Sequence, residues 1–523
     1  MENAVFPSEN VQHYIAENAA LKATVAEQQI LIKYYETQLL NLKRRQFGSS
    51  SEKSESDCRQ LNLFPEVEAA APPELEVEDI SYRRKKRRGK REEDLSGLPV
   101  KRIDYELPAS ERACPRCGDT MRDIGVDVRR ELELIPAKVI VLEHAAHAYA
   151  CATCGKNSDS TPIMKAKSPE PLLAGSLASA SLVAHIAVQK YMNAMPLYRL
   201  ERGFSYDGVS ISRQCMANWI IQCSERYLEA IYLRMKAHLL KESVLHADET
   251  TFQILREPDR SAQSKSYEWI YRTSGSSEHK IIIYDYKETR AQEHPQAFLR
   301  DFKGFLHTDG YQVYHNLPPD IVVVGCWAHV RRKWENLLRT IKKDQRKDSS
   351  AAHGVAYMDA LFALEREFGD LIPEERCRQR LEKSKPVADA FFEWAENLGA
   401  LPKMPLGEAV SYSLSQRKYL ENVFLDGRLE ISNNRAERSV KPFVVGRKNW
   451  LFANTPAGAM ASSVMYSLIE TAKENGLHPR NYVEFLLRTL PGSTSNVLER
   501  LLPWSLKLPD ECRMPLKSDH APA

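Results

Sequence analysis

The sequence predicts a multidomain α/β protein whose central sheet carries acidic side chains. Three observations predict it: alternating apolar strands at 243–255, 266–273 and 279–288, two CxxC pairs ahead of them, and helical periodicity on both sides. With 523 residues the chain holds several domains and at least one large core. A hydrophobic content of 43% and a charged content of 27% describe an ordinary globular composition. The net charge is only +3, so any surface for nucleic acid must come from local clustering of basic residues. No apolar run approaches the roughly 18 residues needed to span a bilayer. The opening MENAVFPSEN lacks the basic and apolar regions of a secretion signal, so the expected location is the cytoplasm, without a membrane partner. Thiols stay reduced there, and ten cysteines point to metal binding or buried thiols rather than disulfides.

Residues 1–47 read as a coiled-coil helix. One set of core positions is Val11, Asn18, Val25, Ile32 and Leu39, and the other is Tyr14, Leu21, Gln28, Tyr35 and Leu42. A single Asn at such a position fixes register, which points to a homodimer or higher self-assembly; a helix docked on its own protein is the alternative. Residues 48–100 are polar, acidic and Pro-containing, a flexible linker that ends in a basic tract. That tract, Arg83, Arg84, Lys85, Lys86, Arg87 and Arg88 through Arg91, suits phosphate attraction without sequence preference, or simple solubilisation. Next, in 101–165, come "CPRCG" and "CATCG". Cys114, Cys117, Cys151 and Cys154 form two knuckles able to present four thiolates to a structural Zn²⁺, with strands between them to bring the knuckles together. Residues 166–242 read as helical. A turn at "SYDGVS" and a capping Ser212 give the outline of a helix-turn-helix, a weak signal for DNA reading.

In 243–335, "SVLHADETTFQIL" puts Val244, His246, Asp248, Thr250 and Phe252 on one strand face and Glu249 on the other. An unpaired carboxylate on an apolar inner face is costly, so Asp248 asks for a partner. "SYEWIYRT" and "HKIIIYDYKE" are further strands, "HPQAFLRDF" a short helix, and "GFLHTDGYQVY" a strand ending near Asp309. "DIVVVGCWAHVRRKW" is an apolar strand running into a basic helix. Three strands, a helix, a strand, a helix and a strand is the order of a ribonuclease H-like sheet, in which acids of the first and fourth strands lie side by side. Asp248 and Asp309 are then tolerated because they share divalent cations. Phosphodiester cleavage needs an activated water or 3′-hydroxyl and a stabilised leaving oxygen, and two metals supply both. Hard Mg²⁺ prefers carboxylates, waters and phosphate oxygens. A third acid is wanted on a later helix, and Glu437 in "EISNNRAERSVKPF" is the candidate. Each acid also has a structural reading: Asp309 in a turn, Asp248 bonded to backbone or Thr250, and Glu437 in a capping box with Asn434.

"LHADET", "HTDGY", "CWAHVRRKW", "NNRAERSVKPF", "GRKNWLF" and "SLIETAKENGLHP" resemble the DDE transposases of the insertion sequence sixty-six family. "RRQFGSSSEK", the paired CxxC segment and "LLPW" at 501–504 extend the resemblance over nearly the whole chain. It implies a ribonuclease H-like catalytic core, two Mg²⁺ or Mn²⁺ ions per active site, and cutting and joining of element-end DNA. By motif Asp248, Asp309 and Glu437 become the catalytic, metal-binding acids. Asp309 and Glu437 stand 128 positions apart, which implies a helical insertion at 336–425 between core segments 243–335 and 426–475, before a helical tail at 476–523. Cys326 and His329 match a Cys-x-x-His signature that supports the active site, or are a core thiol beside a partly buried imidazole. Arg447 and Lys448 are candidate phosphate contacts with Trp450 available to stack on a base, or an exposed basic turn with a core Trp. Many members carry Asp where Ser432 stands, so any help that Asp gives to metal or helix is missing here. The implied partners are DNA, as terminal inverted repeats and as target, with accessory proteins of the same element and a nucleoid location. A non-catalytic zinc-containing DNA-binding regulator and a structure-selective ribonuclease H-like nuclease are the alternatives.

Overall fold

A computed structural model describes residues 138–150, 163–493 and 495–515, together with Val100, Arg102 and Leu132. The heptads of 11–42, the basic tract from Arg83 and the cysteines Cys114, Cys117, Cys151 and Cys154 lie outside the described residues. The chain divides into two compact units. In the smaller, β1 (Ala148–Ala150) pairs antiparallel with β2 (Ile163–Lys165). These strands bracket the second CxxC segment in sequence.

The helical region carries α1 (Ala180–Tyr191), α2 (Leu197–Tyr206), α3 (Arg213–Cys223) and α4 (Glu229–Leu239). Ser212 caps α3 as its sequence suggests, its Oγ accepting from the Cys215 N–H at 3.2 Å. One π-turn, Ser224–Leu228, carries α3 into α4. No helix among the described residues is long and apolar enough to cross a membrane.

The larger unit is built on a five-stranded sheet: β3 (Val244–Gln253), β4 (Lys265–Thr273), β5 (Ile282–Lys287), β6 (Gly304–His307) and β7 (Ile321–Val324), in the order β5-β4-β3-β6-β7. β3, β4 and β5 form an antiparallel meander, while β6 and β7 run parallel to β3. Helix α5 (Glu293–Phe298) lies between β5 and β6. The second helix expected, between β6 and β7, is instead a 3₁₀ turn at Gln312–Asn316. Pro318 and Pro319 close that short segment, and neither offers an N–H to prolong a helix. The basic helix α6 (Trp327–Thr340) follows β7. At the β5 edge, strand groups that would otherwise face outward are taken by hydroxyls: Ile282 N–H donates to Thr471 Oγ1 at 3.0 Å and Tyr284 N–H to Ser467 Oγ at 2.8 Å.

Between α6 and the last core segment come α7 (Ser350–Glu367), α8 (Pro373–Gln379), α9 (Lys385–Glu396) and α10 (Pro405–Leu420). Of these, α7, α9 and α10 share one apolar core with the sheet, in which Trp334, Met358, Phe391 and Phe392 pack with Val244 and Val324. A buried Arg380 locks this layer. Its guanidinium pairs with Glu365 at 2.7 Å and donates to the carbonyl of Leu429 at 2.8 Å, on the approach to the next helix. That helix, α11 (Asn434–Trp450), lies across β3, and α12 (Pro456–Glu474) and α13 (Pro479–Thr489) follow.

Candidate active site

The site starts from strand register. β3 and β6 pair in parallel with Leu245 opposite Leu306 and His246 opposite His307, whose rings stack at 4.4 Å. Two residues further along the same register, Asp248 stands in the middle of β3 and Asp309 just past the end of β6. Asp248 Oδ1 accepts the Glu249 N–H at 2.8 Å, and Asp309 Oδ1 accepts the Tyr311 N–H at 2.9 Å to close a turn. Asp309 is therefore both a turn residue and a neighbour of Asp248. Gly310 leaves room for α10: a methyl group there would lie 2.7 Å from the Tyr412 hydroxyl oxygen and 3.0 Å from its ring.

Helix α11 covers the even-numbered face of β3, as strand alternation requires. Phe443 packs edge-on to Phe252 at 4.9 Å, and His246 Nδ1 lies 3.0 Å from Asn433 Oδ1. Asn433 Nδ2 also donates to the Ala247 carbonyl at 2.8 Å. This bonding fixes the start of the helix to the strand carrying Asp248 and spends the Asn433 side chain, so the N-cap makes no side-chain cap bond. The capping box suggested for Asn434 and Glu437 is not formed. Glu437, on the first turn, turns to α6 instead: Oε2 accepts from Arg332 Nη2 at 3.2 Å and Oε1 lies 3.5 Å from His329 Nε2.

The electrostatics reflect this convergence. Burial pushes the Asp248 carboxyl well above the usual carboxylate range, and the negative charges of Glu249, Asp309 and Glu437 push it further. The Glu249 N–H bonded to Asp248 opposes that rise. Glu249, on the opposite face, is neutralised locally: it accepts from Arg290 Nε at 2.9 Å and from the Tyr314 hydroxyl at 2.6 Å. The Arg290 guanidinium sits 3.5 Å over the Tyr311 ring, tying this cluster to the Asp309 turn.

Cys326 is buried at the N-terminus of α6, and its Sγ accepts the Asn433 N–H at 3.1 Å. Burial and the nearby Glu437 push its thiol up to about 12. Burial, with Arg332 beside it, lowers His329 to about 4. The ligand atoms of Cys326, His329 and Glu437 all lie within 4.8 Å of one another. Carboxylates from β3, the β6 turn and α11 are donors that suit a hard divalent cation, but among the described residues Asp248, Asp309 and Glu437 are not drawn together as closely as Cys326, His329 and Glu437, and Glu437 is paired with Arg332.

The remaining candidates fall elsewhere. Arg447 donates to Thr250 Oγ1 at 3.1 Å and Thr251 Oγ1 at 2.8 Å, so its guanidinium is held against β3. Lys448 is exposed. Trp450 is half-buried and packs edge-on to Phe252 and Phe443 at 5.5 and 5.6 Å. Sequence reasoning missed Arg332, Asn433 and the Glu249–Arg290–Tyr314 cluster. Arg332 stands three residues after His329, one helical turn along the same face, and that spacing was the available signal. Arg290 and Tyr314 gave none, because only the tertiary fold brings them to Glu249.

Comparison with known proteins adds an independent line. Residues 175–461 match the model described as "Transposase IS66 family". Residues 111–155 match the "zinc-finger binding domain of transposase IS66", and 467–504 the "IS66 C-terminal element". Residues 34–103 match "Transposase C of IS166 homeodomain". Two relatives from Sinorhizobium fredii (strain NBRC 101917 / NGR234) are similar along most of their length. The uncharacterized protein y4qI is 30% identical over 94% of this chain and 92% of its own, and the uncharacterized protein y4hP is 28% identical over 90% and 88%.

Proposed function

The chain belongs to the IS66 transposase family, and from that premise we propose that it is a metal-dependent DNA transposase using Asp248, Asp309 and Glu437. The observation that carries the proposal is the register of β3 and β6, which sets Asp248 beside Asp309, with Glu437 close enough to act on Asp248 electrostatically. The strand order β5-β4-β3-β6-β7, with its antiparallel meander and two parallel strands, supports a ribonuclease H-like core. Divalent cations, Mg²⁺ or Mn²⁺, held by the three carboxylates would neutralise phosphate charge and activate a water or a 3′-hydroxyl.

The chain's own residues do the rest. Asn433 orients the start of α11 against β3, and Arg332 holds the Glu437 carboxylate on the α6 side with His329 beside it. Cys114, Cys117, Cys151 and Cys154 bind structural zinc in the segment that matches the zinc-finger model. That domain, the basic tract and the helical region hold the element's terminal inverted repeats, and the N-terminal heptads pair two or more copies. Cleavage at the 3′ end and attack of the freed hydroxyl on target DNA follow.

The test is a supercoiled-plasmid assay carrying the element's ends. Asp309→Asn is expected to lower Mg²⁺-dependent joining by roughly two to three orders of magnitude, the scale of several kcal/mol of lost charge stabilisation, while end binding persists. Normal joining by Asp309→Asn would remove the assignment. Sequence-specific binding with no metal-dependent nicking by the wild type would favour a regulator. Cutting of branched DNA without preference for the ends would favour a structure-selective nuclease.

A further inference from the structure

One corner of the site has a different chemistry from the rest. Cys326 and His329 occupy the N-cap and first turn of α6 with Cys-x-x-His spacing, and Glu437 faces them from α11. Their ligand atoms lie within 4.8 Å of one another. Arg332 Nη2 lies nearer Oε2 of Glu437, at 3.2 Å, than Oε1, at 3.5 Å, and Oε1 is also 3.5 Å from His329 Nε2. That last gap is long for a hydrogen bond. It is close to the separation of two ligands on one zinc, because Zn–N of about 2.0–2.1 Å and Zn–O of about 2.0–2.2 Å at a tetrahedral angle put the atoms roughly 3.4 Å apart.

We propose that Cys326, His329 and Glu437 form a zinc-binding site beside the carboxylate cluster, and that zinc bound there withdraws Glu437 from the catalytic cations. A thiolate, an imidazole and one carboxylate form a donor set that zinc accepts and magnesium does not. Three protein ligands leave the fourth position to water. Cys326 Sγ already accepts backbone amides from Asn433, Ala328 and His329, the kind of contact that stabilises a thiolate at a helix N-terminus. Binding releases the thiol proton to solvent, with no oxidation or reduction. Arg332 keeps hold of Oε2, so the carboxylate turns little to accept the ion on Oε1. The zinc affinity stands on these three side chains alone. The inhibitory consequence rests on the catalytic role proposed for Glu437.

The experiment uses the full-length chain with its knuckle zinc in place, titrated calorimetrically with Zn²⁺. The wild type should bind one more zinc per chain than either Cys326→Ser or His329→Gln, and added Zn²⁺ should suppress wild-type joining in Mg²⁺. Ser keeps an acceptor for the three amides and Gln keeps a polar group on α6, so if one variant fails to fold the other decides. Equal zinc binding by the wild type and a folded variant overturns the site, and extra zinc that leaves joining untouched overturns the inhibition. Asp309→Asn should keep the extra zinc whatever it does to joining. Failure of the zinc site and failure of the catalytic assignment are thereby told apart.

Discussion

Asp248 shows at the scale of one residue how a functional group works against stability. Its carboxyl is raised in the folded chain by burial and by three neighbouring acids, whereas in the unfolded chain it titrates near 4. Above that ordinary value and below the raised one, the native state binds more protons than the unfolded state. Stability therefore falls as pH rises through this window. Without added Mg²⁺ or Mn²⁺, Asp248→Asn should be more stable than the wild type at neutral pH, with the gap closing below about pH 4. Urea denaturation across that range measures it, and a wild type that is the more stable at every pH would contradict the account. Asp248 was legible in the sequence because alternation placed an acid on an apolar face. Arg332 was not, since a basic residue on an amphipathic helix is usually solvated, and only the fold turns this one onto Glu437.

At the scale of elements, the strands were legible and their connections less so. β3, β4 and β5 announce themselves by alternation and β-branched residues. Between β6 and β7 the strand and helix order predicts a helix, and the two prolines and short span of that segment limit it to a 3₁₀ turn. The resemblance implies a helical insertion between Asp309 and Glu437, but the packing of α7 to α10 on the β7 side does not follow, because no local pattern encodes Arg380. Buried at 1% exposure, that guanidinium bonds Glu365 and carbonyls ahead of α11. Glu365→Ala leaves the charge buried without its counter-ion and should lower stability by about 3–5 kcal/mol. A change of a few tenths, read from the urea midpoint, would mean that water reaches Arg380 and that this layer is looser than its hydrogen bonds imply. Joining should fall as well, because the same guanidinium anchors the approach to Glu437.

For the molecule as a whole, the family match joins a zinc-finger segment, a transposase core and a C-terminal element in one chain. With a net charge of only +3, the proposed DNA binding calls for clustered cations, and Arg83, Arg84, Lys85, Lys86, Arg87 and Arg88 are the candidates in the sequence. Alanine at these six should flatten the salt dependence of DNA binding by about 0.9 in log slope for each phosphate that is no longer neutralised. An unchanged slope would move the electrostatic footprint elsewhere. The central claim is that strand register and α11 bring three distant acids to one pair of cations. Anomalous diffraction from crystals of the full chain soaked in Mn²⁺ tests it most directly. The account predicts manganese peaks bounded by Asp248, Asp309 and Glu437; peaks found only elsewhere, with these carboxylates unligated at saturating Mn²⁺, would contradict it.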